Sequence, residues 1–513
     1  MALTHTGLLP NLLPLSEIAS DTLERPCNKM IDQIVLYWPL ATTIAAAVIT
    51  IVLVGSVILH KRDESAAIAW VGLILLSPIV CAVAYLIFGI NRIRRRAERT
   101  RPGSSTPVGW NPALSANQSL IADLPEGDMT APGQLRRRLM DSLTTNPLVV
   151  RNSVEVLKNG DEAYPEMLAA IENARRSVAL TSYIFRSDSA GREFAEALER
   201  ASARGVEVRV LVDGAGQLYS LPTTSGMLRR YDILFARYLH SFWPWRMPYL
   251  NLRNHRKILV VDGKLGFTGG INISRNNLIR QAPARPVRDL HFRIRGPVVS
   301  QLMEKFADDW AFTTRELLEG ETWFPDPEIN GDVAARAIAS GPHEPIDRMR
   351  WILHAAISQA RTRICILTPY LLPDQILVSA LRLAAIRGVR IDIILPEHSN
   401  LRFVDWAVRA RLDELLVDGC HVWFGPAPFN HAKLMIVDDD WALVGSSNWD
   451  PRSLRLNFEL NVECQSTKLV AQLLDIFVSE REASRVVSLQ DINQRSMPVR
   501  LRDGVARLFS PYF

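Results

Sequence analysis

His255-Arg256-Lys257-Ile258-Leu259-Val260-Val261-Asp262 and His431-Ala432-Lys433-Leu434-Met435-Ile436-Val437-Asp438 are two copies of one pattern, HxKx4D, in a single chain. Both continue in register, with Gly269 and Gly445 standing 14 residues after their histidines and Asn272 and Asn448 standing 17 after. In each copy the aliphatic run reads as a buried strand that turns, at Asp262-Gly263 or Asp438-Asp439, into a second strand carrying the asparagine. Histidine and lysine two residues apart on a strand project from one face, so a single phosphate can meet both. A lone histidine in such a strand reads first as a satisfied core residue, but a registered pair does not. The lysines sharpen the point, because only eight of the 59 basic residues are lysine and both motif positions hold one. A compact ammonium approaches one phosphoryl oxygen as a point charge, where a planar guanidinium would not fit the same way.

Working outward, the motifs sit inside a larger repeat. Ser177–Tyr183 and Arg363–Tyr370 are matching strand patterns, each preceded by an Ala-Arg pair. Amphipathic helical stretches follow, Phe194–Arg204 before Gly205 and Ile376–Arg387 before Gly388, with glycine at the usual helix C-terminal position. Each then enters a β-branched strand, Val206–Val212 or Val389–Leu395. Alternating strands and helices predict an α/β sandwich in each half, with the halves related by a pseudo-twofold axis and sharing a cleft.

At 513 residues the chain has room for several domains. Its net charge of +5 favours anionic partners. Five scattered cysteines, Cys27, Cys81, Cys365, Cys420 and Cys464, form no CxxC pair, which argues against a disulfide framework or a structural zinc site. Two apolar runs, about 34–59 and 66–90, are each long enough to cross ~30 Å of hydrocarbon. Only His60–Ser65 separates them, so a transmembrane hairpin is expected. Arg92, Arg94, Arg95, Arg96, Arg99 and Arg101 follow, and the positive-inside rule places that cluster and everything after it on the cytoplasmic face. The expected organisation is a tail over 1–33, the hairpin over 34–90, a basic flexible linker over 91–145, a first half over 146–335 and a second over 336–513.

The signature HxKx4D(x6)GSxN is that of the phospholipase D superfamily, and the chain resembles its bacterial cardiolipin synthases in particular. The resemblance rests on Asn254–Lys257, Gly269–Asn272, Arg288–His291, Asn448–Ser453 with Asn457–Glu459, the apolar anchor and the closing Ala506–Pro511. One departure is Gly270, where the superfamily often has serine. The fold it implies is two phospholipase D-like α/β halves behind a membrane hairpin. The activity it implies is transfer of a phosphatidyl group between two phosphatidylglycerols, or else hydrolysis or another acceptor. The implied setting is the bacterial inner membrane, with anionic phospholipids as partners, no nucleic acid, no metal and no other cofactor.

Carried onto this chain, the catalytic set is His255, Lys257, Asp262, His431, Lys433 and Asp438. His255 is implied as nucleophile and His431 as acid and base, an assignment the symmetric motifs do not themselves make. Asn272 and Asn448 join the lysines around the phosphoryl oxygens. Asp289 and Glu459 are expected to orient the imidazoles, as an aspartate does in a triad. Within the motif, Asp262 and Asp438 read more readily as strand-turn caps making local hydrogen bonds than as reacting groups. The aromatic, basic stretch His240–Tyr249 fits either a lipid headgroup zone or a lid packed on its own domain. A nuclease would share the basic charge but has no use for a membrane hairpin, and a non-catalytic scaffold would not need both motifs whole.

Overall fold

The computed structural model describes residues 15–60, 64–77, 80, 81, 85, 131–238, 252–329, 331–341 and 347–510. It falls into two units, Met1–Arg92 and Ile93–Phe513. In the first, helix α1 (Leu15–His60) contains Leu36–His60, 25 residues of mean hydropathy 2.5, long and apolar enough to cross a membrane. Helix α2 (Glu64–Leu76) is apolar all round and packs on α1 through Leu53, Val57 and Ile74. The tail expected over 1–33 is helical from Leu15, because its Glu, Ile, Ala and Leu residues extend a helix already nucleated by the span. Much of the expected second span, the arginine cluster, most of the linker and the His240–Tyr249 stretch lie outside the described residues.

Among the described residues the second unit is built on one sheet of 15 strands. The first half contributes β1 (Val149–Lys158), β2 (Ser177–Ser182), β3 (Glu207–Asp213), β4 (Phe235–Tyr238), β5 (Ile258–Val261), β6 (Leu265–Gly269) and β8 (Leu290–Arg295), with the short β7 (Val287–Arg288) outside the sheet. The second contributes β9 (Val333–Ser340), β10 (Arg363–Leu367), β11 (Arg390–Pro396), β12 (His421–Gly425), β14 (Leu434–Val437), β15 (Trp441–Gly445), β16 (Glu459–Gln465) and β17 (Arg485–Val487), with β13 (Phe429–Asn430) outside. From one edge the order is 4-3-2-5-6-8-1, then 9-16-15-14-10-11-12-17. The second series is the first reversed, plus one edge strand, and the halves join where β1 and β9 pair antiparallel. The two-copy α/β sandwich expected from the repeat is therefore one continuous sheet with a pseudo-twofold at its centre.

Helices cover both faces, as two-sided burial of the aliphatic strands requires. Val298–Thr314 and Thr467–Glu482 bury one core that runs unbroken across the junction, from Phe292, Leu302 and Phe306 to Val444, Leu473 and Phe477. On the other face each half keeps its own core. The helix Ala131–Leu143 lies in the stretch expected as linker, yet it buries Met140 in the second half's core and pairs the fully buried Arg136 with Asp440. Its Leu139, Met140 and Leu143 supply an apolar face that a free linker would not need. β9 likewise begins three residues before the expected boundary at 336.

Candidate active site

Each motif histidine sits in the extended segment that leads into a motif strand, His255 before β5 and His431 before β14. Backbone bonds from the opposite half pin both. The His255 N–H donates to Phe458 O at 2.9 Å, and the His431 N–H donates to Arg288 O at 2.7 Å. β13 and β7 pair in parallel to continue the second of these contacts. The residues that follow the two pinning carbonyls are Glu459 and Asp289. As a result the carboxylates cross over. His255 Nδ1 lies 2.8 Å from Glu459 Oε2, and His431 Nδ1 lies 2.9 Å from Asp289 Oδ2. Neither half holds its own histidine.

With Nδ1–H donated to a carboxylate, Nε2 is left on each ring as the free nitrogen. The two rings stand 6.5 Å apart between centroids, at 80°. Lys257 Nζ donates to His255 O at 2.8 Å, and Lys433 Nζ bonds His431 O in the same way. Each ammonium is thus folded back beside its own histidine at the cleft.

Burial sets the electrostatics. It lowers Lys257 to about 7 and Lys433 to about 8, against the pull of Glu459 and Asp289. Burial also lowers His431 to about 4, helped by Lys433. His255 is lowered by burial too, with Glu459 opposing. Burial pushes the two carboxylates up, but it is outweighed. Lys433 and the His431 bond hold Asp289 below its ordinary value, and His255 does the same for Glu459. Both carboxylates are therefore charged and both imidazoles neutral at pH 7.

Asp262 and Asp438 stand apart from this cluster, at the far ends of β5 and β14. Asp262 accepts backbone N–H bonds from Arg175, Arg176 and Ser177 at 2.7–3.1 Å. Asp438 accepts them from Arg361, Thr362 and Arg363 at 2.8–3.3 Å. These bonds are not local to the turn, as expected, but tie each motif strand to the start of its neighbour, β2 or β10. A strand's length separates either aspartate from the histidine of its own motif. Asn272 Oδ1 accepts the Ile184 N–H at 3.1 Å and so braces the loop after β2. Asn448 is buried, and its Oδ1 has no hydrogen-bond partner among the described residues.

The Gly270 departure has a steric cause. A Cβ built there would lie 2.1 Å from Asp289 Oδ1. Its counterpart Ser446 instead donates from Oγ to Glu459 Oε2 at 2.6 Å, and Asn457 donates to Oε1 at 3.1 Å. Behind His255, Arg256 is fully buried, donating to Asp309 at 2.7 Å and to Glu459 O at 3.2 Å. Tyr183 and Tyr370 flank the histidines, with ring centroids 4.9 Å from His255 and 6.4 Å from His431. Sequence reasoning did not single out these tyrosines, Ser446 or Arg256. The tyrosines close the matching strand patterns at the same point of the repeat, and that was the available signal.

The protein-family model described as cardiolipin synthase, PLD-like domain matches residues 167–310 and 353–481, more than half of the chain. The cardiolipin synthase A of Pseudomonas putida strain F1 is 33% identical over 466 residues, covering 88% of this chain and 93% of that one. The chain belongs to the cardiolipin synthase family. The cardiolipin synthase of Alkalihalophilus pseudofirmus is a more distant relative, 31% identical over 92% of this chain and 94% of its own. A second family model, phospholipase D-nuclease N-terminal, matches residues 48–89 of the apolar anchor. Among solved structures, the phosphatidylserine synthase of Haemophilus influenzae superposes with a TM-score of 0.57 at 16% identity, covering 74% of this chain and 100% of that one. At that identity the likeness shows the shared fold, and this member of the cardiolipin synthase family has it in both halves.

Proposed function

We propose that the chain condenses two phosphatidylglycerols into cardiolipin and glycerol, through a phosphatidyl group carried on His255. The crossed pairs His255–Glu459 and His431–Asp289, in one buried cleft with two lysines, carry this reading. His255 Nε2 attacks phosphorus while His431, which takes up a solvent proton on Nε2 once the phosphodiester's negative charge is in the cleft, gives that proton to the departing glycerol oxygen. The glycerol hydroxyl of a second phosphatidylglycerol then loses its proton to His431 and attacks the phosphohistidine, and His255 leaves with its lone pair restored. Lys257 and Lys433 meet the phosphoryl oxygens, with Asn448 beside them. An entering phosphodiester brings negative charge, which raises the pKa of both imidazoles and both lysines toward working values. Asp262 and Asp438 hold the strands rather than react.

Supplied with phosphatidylglycerol alone, the purified protein should give cardiolipin and glycerol in equal amounts. Phosphatidic acid as the only lipid product would mean water is the acceptor and would contradict the transferase reading. The proposal includes a multi-pass anchor of two spans in the bacterial inner membrane, with the catalytic halves on the cytoplasmic side. The apolar runs and the arginine cluster behind them support it. A reporter at the C-terminus should be active only in its cytoplasmic form and one at Ser65 only outside; the reverse pattern contradicts this topology.

A further inference from the structure

The last helix, Met497–Leu508, turns Asp503 and Ala506 toward the body of the second half. On its other side Met497, Leu501, Val505 and Leu508 are 72, 68, 45 and 70% exposed. Their spacing of i, i+4, i+8 and i+11 puts all four on one stripe of the helix. Exposed Arg500 and Arg507 border that stripe on one side, while Arg502 on the other is held by Asp503 and lies over Trp406. Core packing does not account for it, since the core-facing side of this helix is the opposite one. The apolar surface continues onto the next helix, Arg402–Arg409, where Phe403 meets the exposed Phe509 at 6.0 Å between rings.

This surface begins at the rim of the cleft. Tyr370 donates from Oη to Asn400 at 2.5 Å, two residues before the Arg402–Arg409 helix, and its ring flanks His431. The opposite bank of the cleft mirrors it. Tyr219 stands 6.1 Å from Tyr183, the ring over His255, and is itself half exposed, between Leu218 and a Leu221 that is 91% exposed. Apolar side chains therefore line both banks, one beside each histidine.

We infer that this surface, the stripe of the last helix with Phe403 and Phe509, docks on the headgroup layer of an anionic bilayer and turns the cleft mouth toward lipid. A stripe of leucine and methionine bordered by arginines has the composition of a helix lying in the interface. The guanidinium groups match phosphate headgroups while the apolar stripe enters the acyl boundary. Docked this way, a phospholipid can present its phosphate to His255 or His431 while its chains remain in the bilayer. The role in catalysis rests on the phosphatidyl-transfer reading; the docking itself does not.

The test uses the full-length chain reconstituted in bilayers of phosphatidylglycerol and phosphatidylcholine, with native cysteines replaced and a bimane probe on a cysteine at position 501. Brominated-acyl lipids should quench that probe but not one at Glu321, an exposed position beside the Asp262 end of the strands. The double variant Leu501→Asp/Leu508→Asp should lose at least about tenfold in turnover of bilayer phosphatidylglycerol, with kcat toward a monomeric short-chain phosphatidylglycerol unchanged. A probe at 501 that brominated lipid leaves unquenched overturns the proposal. So does self-quenching between probes, which would assign the stripe to a second copy of the chain. Because quenching needs no turnover, quenching without any cardiolipin would leave the docking intact and refute only the proposed reaction.

Discussion

His255 and His431 occupy the same place in two copies of one repeat, but the groups that hold them are not copies. Glu459, the longer acid, takes Nδ1–H from His255 while Ser446 and Asn457 also donate to it. Asp289, one methylene shorter, takes Nδ1–H from His431 and the N–H of Leu290, and fills the space over Gly270 that Ser446 fills in the other half. Glycine with aspartate and serine with glutamate are thus two solutions to one distance. The same Nδ1-to-carboxylate geometry is reached twice, and only the His255 side has the extra side-chain donors. A braced ring suits a fixed nucleophile, whereas a proton shuttle has to serve two different oxygens in turn.

Breaking the crossed pairs should have the largest effect. Glu459→Gln and Asp289→Asn should each keep the fold by circular dichroism and cut cardiolipin formation by roughly 10²–10⁴-fold. Glu459→Gln should chiefly slow formation of the adduct on His255, whereas Asp289→Asn should slow both its formation and its breakdown, because His431 serves first as acid and then as base. Rapid-quench kinetics separate the two; near-normal rates in both variants would dismiss the carboxylates as positioning groups.

Gly270→Ser comes next. Its Cβ would displace the Asp289 carboxylate and with it His431, and a shift near 1 Å costs on the order of 10²-fold in rate. The double variant Gly270→Ser/Asp289→Glu rewrites the first site in the form of the second and should recover part of that loss. No recovery would show that the two solutions are not interchangeable.

The pH profile follows in size. Lys257 at about 7 and Lys433 at about 8 carry their charge below those values and lose it above them. In the free enzyme kcat/KM should therefore fall on the basic side, about tenfold per pH unit once one required proton is lost. A bound phosphodiester favours the charged amines, so the basic limb of kcat should stand at higher pH than that of kcat/KM. Coincident limbs would mean the lysines do not meet the phosphate. Ser446→Ala should have the smallest effect, about three- to tenfold in turnover, since it removes one donor of three at about 1 kcal/mol. A loss equal to that of Glu459→Gln would make the serine part of the reaction rather than a brace.

Much of this was legible in the sequence, for identifiable reasons. The aliphatic runs and the registered glycines gave the strands, and the repeat gave two α/β halves. The eight-residue motif placed both histidines and lysines in one cleft, because a period-two spacing survives in three dimensions. The crossing of Glu459 and Asp289 was not legible, since along the chain Asp289 stands 34 residues after His255 and Glu459 28 after His431, each in the half of the histidine it does not hold. Only the closure of the sheet through β1 and β9 brings Phe458 and Arg288 against the opposite histidines. The partners of Asp262 and Asp438, some 75 to 87 residues away in sequence, were hidden for the same reason. The helix over Ala131–Leu143 was masked by the Pro- and Gly-rich residues around it, although its Leu139, Met140 and Leu143 already formed an apolar face.

The most direct test maps the covalent intermediate. Full-length protein mixed with labelled phosphatidylglycerol, quenched in base and digested, should carry a phosphatidyl group on His255 alone. His431→Ala should accumulate that adduct, and His255→Ala should form none, with cardiolipin production lost in both. A label on His431 would reverse the roles of the two histidines. No label on either, together with inversion at phosphorus, would contradict transfer through the enzyme altogether.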